Sequence, residues 1–234
     1  MKQQIIPGVI ALLSCVSIVL DLSAQGDELR IKSTPDFELT GTGGSSNWAS
    51  TDWVSLPQRG GDGTTYQTDA KLLYSQKGIY CLFRCEDQII TSTLREDFSN
   101  LFTEDVVEIF FWPNESMPVY FEYELSPYNY ELPIIVPNDN GTFLGWRPWN
   151  YEGERLTRRK ANISELDGDK TWTVEFFIPY DLLRPLVNEP PEKGSKWRMN
   201  MYRLDYDKGQ ARWTWQPIRK TFHDYERYGT MIFD

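Results

Sequence analysis

The chain has 234 residues and a formal net charge of −10, and 15% of its residues are aromatic. An acidic protein repels phosphate backbones and anionic lipid surfaces, so nucleic acid and anionic membranes are excluded as expected partners. Neutral polymers remain as candidate ligands, and the length suits one well-buried all-β domain.

The first residues predict a secretory signal peptide over residues 1–24. Lys2 precedes an apolar stretch from Ile5 to Leu20, and Leu22-Ser23-Ala24 offers small residues for cleavage. The stretch is interrupted and shorter than the roughly 20 apolar residues of a membrane-spanning helix. We therefore expect a single domain over 25–234 that is secreted, periplasmic or at the cell surface. A lipoprotein anchored at Cys15 stays open, because Leu12-Leu13-Ser14-Cys15 resembles a lipobox.

Strands are predicted along most of the chain, because apolar and polar residues alternate with a period of two. Turn sequences rich in Gly, Asn, Asp and Pro separate them, and only Tyr180 to Val187 predicts a short helix. The predicted fold is all-β, a two-sheet antiparallel β-sandwich of jelly-roll or immunoglobulin type. The predicted strands are Ala70 to Tyr74, Ile79 to Cys85, Val106 to Trp112, Tyr120 to Leu125, Trp172 to Ile178, Lys196 to Leu204, Arg212 to Gln216 and Thr230 to Phe233.

Two cysteines follow the predicted leader, Cys81 and Cys85. On one strand, a rise of about 3.3 Å per residue places their Cα atoms about 13 Å apart, beyond the ~7 Å limit for a disulfide. We expect buried free thiols. A redox pair is the alternative, and the spacing fits no zinc pattern.

One long segment, Ser126 to Thr171, separates the predicted strands and is rich in aromatic residues, glycine and proline. A loop of this length in a compact domain is usually functional or disordered, and this one is too aromatic for disorder. We expect this aromatic excursion to fold over one face of the sandwich.

Carboxylates are predicted to share one sheet face. In the strand around Glu108 the apolar residues Val107 and Ile109 point to the opposite side, and Glu122 and Glu124 share one side of the next strand. Similar alternation aligns Asn200 with Tyr202, and Trp213 with Trp215. Aromatic plates beside planar hydrogen-bonding groups suit sugar rings, which offer an apolar C–H patch and a rim of hydroxyls. The alternative is that the aromatic residues fill the core and the carboxylates lie on a solvated face.

Several segments together resemble family 9 carbohydrate-binding modules over roughly Asp36 to Asp234. The resemblance rests on their order and spacing rather than on any one of them. The segments are Phe102 to Phe110, Tyr120 to Pro127, Glu175 to Pro179, Trp197 to Asn200 with Arg203, Trp213 to Trp215, and Tyr228-Gly229.

The resemblance implies a non-catalytic module that helps polysaccharide-degrading enzymes stay on their substrate. It implies that Phe102 and Trp215 sandwich a terminal sugar of a plant-type polysaccharide or a short oligosaccharide, with Glu108 accepting from a hydroxyl. Two positions depart from the family pattern: Phe102 stands where tryptophan is usual, and Glu122 where a basic sugar ligand is often found. The further residues expected at the site are Asn200, Tyr202, Trp146, Arg147 and Trp149, the last three as a replacement wall.

No cofactor is expected, although some relatives bind structural calcium. Asp36, Asp62, Asp69 and Asp87 are loop acids that could serve, but no recognisable calcium motif is present.

Three other functions stay open at this point. A glycoside hydrolase would use Glu108 with Glu122 or Glu175, held at a separation that the sequence does not provide. A haem protein needs axial ligands, and the single histidine, His223, is expected to make a structural hydrogen bond instead. A structural or adhesive surface module would bind no sugar.

Overall fold

The structure is a computed structural model that describes residues 26–61, 63, 65–139, 142–149, 157–184 and 186–234. The predicted signal peptide, with Cys15, and Asp62 lie outside these residues. No helix within the described part of the chain is long and apolar enough to cross a membrane.

Fifteen strands and four short 3-10 helices make up the described chain. The 3-10 helices are Ser46–Ser50, Leu101–Thr103, Tyr180–Leu183 and Tyr225–Arg227. The strands are β1 (Glu28–Ser33), β2 (Val54–Ser55), β3 (Gln58–Gly60), β4 (Thr68–Tyr74), β5 (Gly78–Asp87), β6 (Val106–Trp112), β7 (Val119–Leu125), β8 (Glu131–Asp139), β9 (Thr142–Phe143), β10 (Arg147–Pro148), β11 (Arg158–Leu166), β12 (Asp169–Pro179), β13 (Lys196–Asp205), β14 (Ala211–Thr214) and β15 (Gly229–Phe233).

The strands form two packed layers, which confirms the predicted β-sandwich. The front sheet has the order β10-β8-β7-β6-β13-β15, with β14 beside the second half of β13, β3 beside β14, and β9 beside β8. The back sheet has the order β4-β5-β12-β11, with β2 against β4. Strand β1 joins the two sheets by pairing in parallel with β15 and with β4, whereas the other strand pairs are antiparallel.

Both faces of the front sheet are covered by apolar residues. Val107, Ile109 and Phe111 of β6 enter the core between the sheets, which also holds Cys81 and Cys85 as buried free thiols, as expected. The alternate residues Val106 and Phe110 belong to a second cluster on the outer face, under the segments that precede β6 and β15. All seven residues of β6 are therefore buried, and the outer face holds the space for a site.

The predicted loop from Ser126 to Thr171 is wrong in large part. It contains β8 and β11, which lengthen the front and back sheets, as well as the short strands β9 and β10. Its middle contributes Trp146 to the outer cluster of the front sheet, and β8 contributes Leu132, Ile134 and Val136 to the same cluster. The predicted helix Tyr180 to Val187 is reduced to a single 3-10 turn, Tyr180–Leu183.

Candidate functional site

A pocket of about 730 Å³ opens on the outer face of the front sheet. Strands β6 and β7 form its floor. Its walls come from four chain segments: the turn before β6, the stretch from β9 to β10, the connection from β13 into β14, and the stretch between β14 and the 3-10 helix Tyr225–Arg227. The volume falls within the 300–1,000 Å³ that is typical of small-ligand sites.

The floor carries three buried carboxyl groups, Glu108, Glu122 and Glu124, which we call the glutamate triad. Glu108 lies directly opposite Glu124 in the β6–β7 register, and Glu122 lies two residues from Glu124 on the same face. Facing residues of an antiparallel pair hold their Cβ atoms about 4.5–5.5 Å apart. The prediction that these carboxylates share one face is confirmed, and that face is the pocket floor rather than a solvated surface.

Burial sets the electrostatics of the triad. It raises the pKa of Glu108 to about 8. Burial first, and then the neighbouring carboxylates, raise the pKa values of Glu122 and Glu124 well above the usual range. Burial therefore favours the protonated form of each group, because the ionised form loses its hydration and gains no salt bridge to a lysine or arginine among the described residues.

Few donors serve these carboxyl groups. Glu122 and Glu124 are close enough to share a proton. The backbone N–H of Phe102 lies near Glu124 and lowers its pKa slightly, but it does not form a regular hydrogen bond. Apart from the shared proton, Oε2 of Glu122 and both carboxyl oxygens of Glu124 have no hydrogen-bond partner. Buried oxygens without partners are uncommon in folded proteins, and here they face a cavity.

Aromatic rings form the walls. Phe102 and Trp146 meet edge to face, with 6.5 Å between ring centroids. Across the pocket, Phe143 stacks on His223 at 4.1 Å, and Phe222 lines the same side. His223 accepts from or donates to the Tyr120 hydroxyl through Nδ1 at 2.7 Å, which is the hydrogen bond expected for it.

His223 is neutral at physiological pH. Burial lowers its pKa to about 4, and its Nδ1 lies 3.8 Å from Oε2 of Glu122. The pocket therefore contains a polar, uncharged imidazole beside the glutamate triad.

Phe102 is held by the turn that begins β6. It lies in the 3-10 helix Leu101–Thr103, and its carbonyl accepts a 2.8 Å hydrogen bond from the Tyr206 hydroxyl. Asp105 fixes the same corner by accepting from the backbone N–H groups of Thr91 and Tyr206. Phe102 thus enters the pocket from a rigid backbone, as a wall residue.

The wall that contains Phe222 is positioned by Asn200 and Tyr202, two residues that were predicted to contact the ligand directly. Asn200 donates to the Tyr202 hydroxyl at 2.8 Å, and Tyr202 and Tyr228 both donate to the carbonyl of Phe222 at 3.0 Å. The Tyr202 ring also stacks on Phe222 at 4.1 Å. Asn200 and Tyr202 are fully buried, so the structure places them beneath the pocket wall, where they position it.

The predicted pair of Phe102 and Trp215 is not brought together. Trp215 is 1% exposed and belongs to the core between the sheets, with its ring against the backbone at Gly229. Phe102 packs on the opposite face of the front sheet. The reason is the phase of the alternation: Trp213 and Trp215 do share a side, as predicted, but it is the inner one.

The predicted replacement wall is only partly present. Trp146 lines the pocket, whereas Arg147 is exposed and bonds to the carbonyl of Trp146. Trp149 packs against the inter-sheet core and donates from Nε1 to the carbonyl of Leu182 at 2.6 Å. Sequence reasoning missed Phe143 and Arg212 at the pocket, and it assigned His223 only a structural bond. Phe143 and His223 come from segments without regular alternation, and in the predicted strand that begins at Arg212 the alternation grouped only Trp213 with Trp215.

Glu175 lies far from the pocket floor, on the outer face of the back sheet. It accepts from Trp48 Nε1 at 2.9 Å and from the backbone N–H groups of Thr40 and Gly41. The proposed catalytic pairing of Glu108 with Glu175 is therefore wrong, because the whole sandwich separates the two carboxylates.

A second acidic group lies between the sheets, where Asp87, Asp105, Asp205 and Asp207 bring one carboxylate oxygen each within 4.8 Å of one another. We call these residues the aspartate cluster. Arg203 is completely buried beside it and donates to Asp87 at 3.1 Å and to Asp205 at 2.6 Å. Oδ1 of Asp87 and Oδ1 of Asp207 have no hydrogen-bond partner, so the cluster retains oxygens of the kind that calcium prefers.

The calcium residues expected from the sequence are mostly elsewhere. Asp36 pairs with Lys77 at 2.8 Å, and Asp69 pairs with Arg84 at 2.8 Å. Of the described members of that predicted set, only Asp87 belongs to the aspartate cluster.

Comparison with known proteins identifies the family to which this chain is similar. The family described as "Carbohydrate family 9 binding domain-like" matches residues 39–234. An extracellular protein of Arthroderma benhamiae is 24% identical over 181 residues, covering 71% of this chain and 78% of that protein.

Among solved structures, a protein from Bacteroides uniformis ATCC 8492, provisionally described as carbohydrate-binding, has a TM-score of 0.75 at 15% identity and covers 88% of this chain and 99% of its own. A family 9 carbohydrate-binding module from Caldicellulosiruptor kristjanssonii, in complex with cellotriose, has a TM-score of 0.61 at 16% identity over 88% of this chain and 94% of its own. The glucose complex from that organism is also similar, with a TM-score of 0.61 at 15% identity, covering 88% of this chain and 95% of its own. At these identities, the structural similarity shows a shared fold.

Proposed function

The chain belongs to the carbohydrate family 9 binding domain-like family, and we propose that its front-sheet pocket binds the sugar as a non-catalytic module. The observation that carries the proposal is the pocket itself: aromatic walls from Phe102 and Trp146 above a floor of carboxyl groups. Rings of this kind stack on the C–H faces of pyranoses, and protonated or ionised carboxyl groups pair with their hydroxyls.

The ring geometry supports binding of one sugar unit in a corner between two inclined rings, rather than stacking of the sugar between two parallel rings. Phe102 and Trp146 are inclined to each other by 78°, so they form a corner. Phe143 and His223, stacked on each other, give the far wall. A ligand that enters this corner places one face on an aromatic ring and its hydroxyl rim on the glutamate triad.

The charge state of the triad favours binding over catalysis. Glycoside hydrolases pair one protonated with one ionised carboxyl group across the scissile bond. Glu108 and Glu122 share a single buried environment, which raises both pKa values and favours the protonated form of both groups. The proposal is therefore an accessory role beside polysaccharide-degrading enzymes, on a protein exported by the predicted signal peptide.

Calorimetry with a panel of mono- and oligosaccharides tests the proposal. We expect dissociation constants on the order of 10–1,000 μM, because a small ligand offers little surface against the cost of association. Phe102→Ala and Trp146→Ala are expected to weaken binding at least about 10-fold, through lost ring contact.

Trp53→Ala is the matched control, since Trp53 is 38% exposed and lies over Lys71 and Arg84 of the back sheet. Its affinity is expected to equal that of the wild type. Sugar binding that survives both pocket substitutions, or that disappears in Trp53→Ala, would move the site elsewhere.

We also propose that the aspartate cluster holds a structural calcium ion. Four carboxyl groups lie together beside one guanidinium, and two of their buried oxygens are unpartnered. Thermal unfolding in calcium and in EGTA tests this: ligand present at 100 times its dissociation constant stabilises a protein by about 2.7 kcal/mol. Asp207→Asn is expected to abolish the difference. Equal midpoints for the wild type in both buffers would contradict the proposal.

A further inference from the structure

We propose that the pocket selects an amino sugar with a free, protonated amine, and that the glutamate triad receives its ammonium group. The inference rests on the proposed function, since it names the class of sugar for the same pocket. It is carried by three observations: the triad has no counter-ion, its buried oxygens lack partners, and aromatic rings surround it.

The first observation is that, among the described residues, no cationic side chain is paired with the triad. Within the described chain, no lysine or arginine forms a salt bridge with Glu108, Glu122 or Glu124. The titratable and charged groups around the triad are Tyr120 of β7, Tyr202 of β13, Tyr206, Arg212 at the pocket lining, His223 and Tyr228. The tyrosines and the buried imidazole are neutral at physiological pH. Arg212 is charged and lines the pocket, but among the described residues it forms no salt bridge with Glu108, Glu122 or Glu124.

The unpartnered oxygens match an ammonium group in number and kind. An ammonium donates three hydrogen bonds and accepts none, whereas a sugar hydroxyl both donates and accepts. Oε2 of Glu122 and the two carboxyl oxygens of Glu124 are three such acceptors, on side chains that line the cavity floor and are 3% and 0% exposed. Hydrogen bonds between ionised partners are about twice as strong as neutral ones, and burial strengthens them further.

The aromatic walls suit the same ligand. A cation within about 6 Å of an aromatic ring centroid is attracted to the ring face, most strongly for tryptophan. Trp146 and Phe102 stand beside the floor that carries the triad, so an ammonium there meets carboxylates below and rings at its side. The remaining wall stays available for the C–H face of the sugar.

Binding of a cation also changes the protonation of the triad. Burial raises the pKa values of these carboxyl groups and favours their protonated forms. An ammonium beside them favours the ionised form, so the pocket releases protons when the amine binds. A neutral sugar gives no such reason to ionise and leaves the protons in place.

Calorimetry with three probes of the same ring size tests the inference: glucosamine, glucose and N-acetylglucosamine. At pH 7 glucosamine is expected to bind at least 10-fold more tightly than either neutral sugar. Titrations in two buffers of different ionisation enthalpy should show net proton release for glucosamine and none for glucose.

Variants assign the effect to the triad. Glu124→Gln and Glu122→Gln keep side-chain size, and each is expected to reduce glucosamine affinity at least 10-fold more than it reduces glucose affinity, so that the preference for the amine is lost. Glu165→Gln removes the same charge from an exposed position on β11 and is expected to change neither.

The outcomes separate this inference from the proposed function. If glucose and N-acetylglucosamine bind as tightly as glucosamine, the sugar-binding function stands and the amine selectivity is wrong. If glucosamine is preferred but both glutamine variants retain that preference, the triad is not where the ammonium binds, and the inference is again wrong. If no sugar of the panel binds, the proposed function fails and this inference fails with it.

Discussion

The two buried acidic groups of this sandwich differ in how their charge is managed. In the aspartate cluster, Arg203 pairs with two carboxylates, and Trp172 Nε1 and the backbone N–H groups of Thr91 and Tyr206 donate to the cluster as well. In the glutamate triad, no cation is paired and three oxygens have no partner. Burial is similar in both, so the difference lies in the donors.

That difference separates a structural role from a binding role. The aspartate cluster ties β5, β13 and the start of β6 together between the sheets, and its geometry is complete apart from two oxygens. The glutamate triad contributes to no such connection and faces an open cavity. Buried polar groups without partners are costly, and a pocket that holds them on its floor is adapted to a ligand that completes them.

The largest expected effect on stability comes from removing Arg203, the cation that pairs with the aspartate cluster. Arg203→Met leaves Asp87 and Asp205 buried without their counter-ion and is expected to lower the free energy of unfolding by about 3–5 kcal/mol. Urea denaturation at pH 8 in EGTA measures it. Arg184→Met, at a side chain 62% exposed, is the control, with an expected change within about 0.5 kcal/mol. A loss below 1 kcal/mol in Arg203→Met would remove the contrast between the two clusters.

The effect expected from the triad is gradual, because it depends on pH. The folded-state pKa of Glu108 is about 8, above the unfolded value, so its contribution to stability is complete below pH ~4 and is lost as pH rises toward 8. The free energy of unfolding contributed by Glu108 declines on the order of 1.4 kcal/mol for each pH unit between the two pKa values. Glu108→Gln removes this decline, because glutamine does not titrate.

Urea denaturation of the wild type and of Glu108→Gln at pH 5, 6, 7 and 8 measures this difference. The free energy of unfolding of Glu108→Gln is expected to rise relative to that of the wild type with each increase in pH. Glu165→Gln, at an exposed glutamate, is expected to follow the wild-type profile. A constant difference between Glu108→Gln and the wild type across this range would mean that Glu108 titrates normally and that the pocket floor is hydrated.

The sequence predicts the central strands well, because their pattern is regular. The predicted strand Val106 to Trp112 coincides with β6, and the predicted strands at β5, β12 and β13 lie within the observed ones. Strand β8 was missed because it contains Pro133 and Pro137, and proline removes a donor from the ladder. Strand β11 was missed because it is polar, which an edge strand paired only with β12 tolerates.

The site was predicted in part for a related reason. Alternation tells which residues share a side, and it grouped Glu108, Glu122 and Glu124 correctly. It does not tell which side is the dry core when both are covered, and this is the case for the front sheet. Trp215 was therefore assigned to the pocket although it packs between the sheets. Phe143 and His223 come from irregular segments, whose approach to the pocket depends on tertiary contacts.

The smallest expected effect concerns the imidazole beside the triad. His223 Nδ1 lies 3.8 Å from Glu122, and a protonated imidazole there would make the triad resemble the aspartate cluster. Burial lowers the pKa of His223 to about 4, so we expect it to stay neutral down to pH 5. Because the chain has one histidine, an NMR titration of a protein without a histidine tag follows a single imidazole. Its signal is expected to be constant from pH 8 to 5, whereas the same residue in urea titrates near 6.5. A folded-state midpoint at or above 6.5 would give the triad a cation of its own, and the reason for a cationic ligand would be lost.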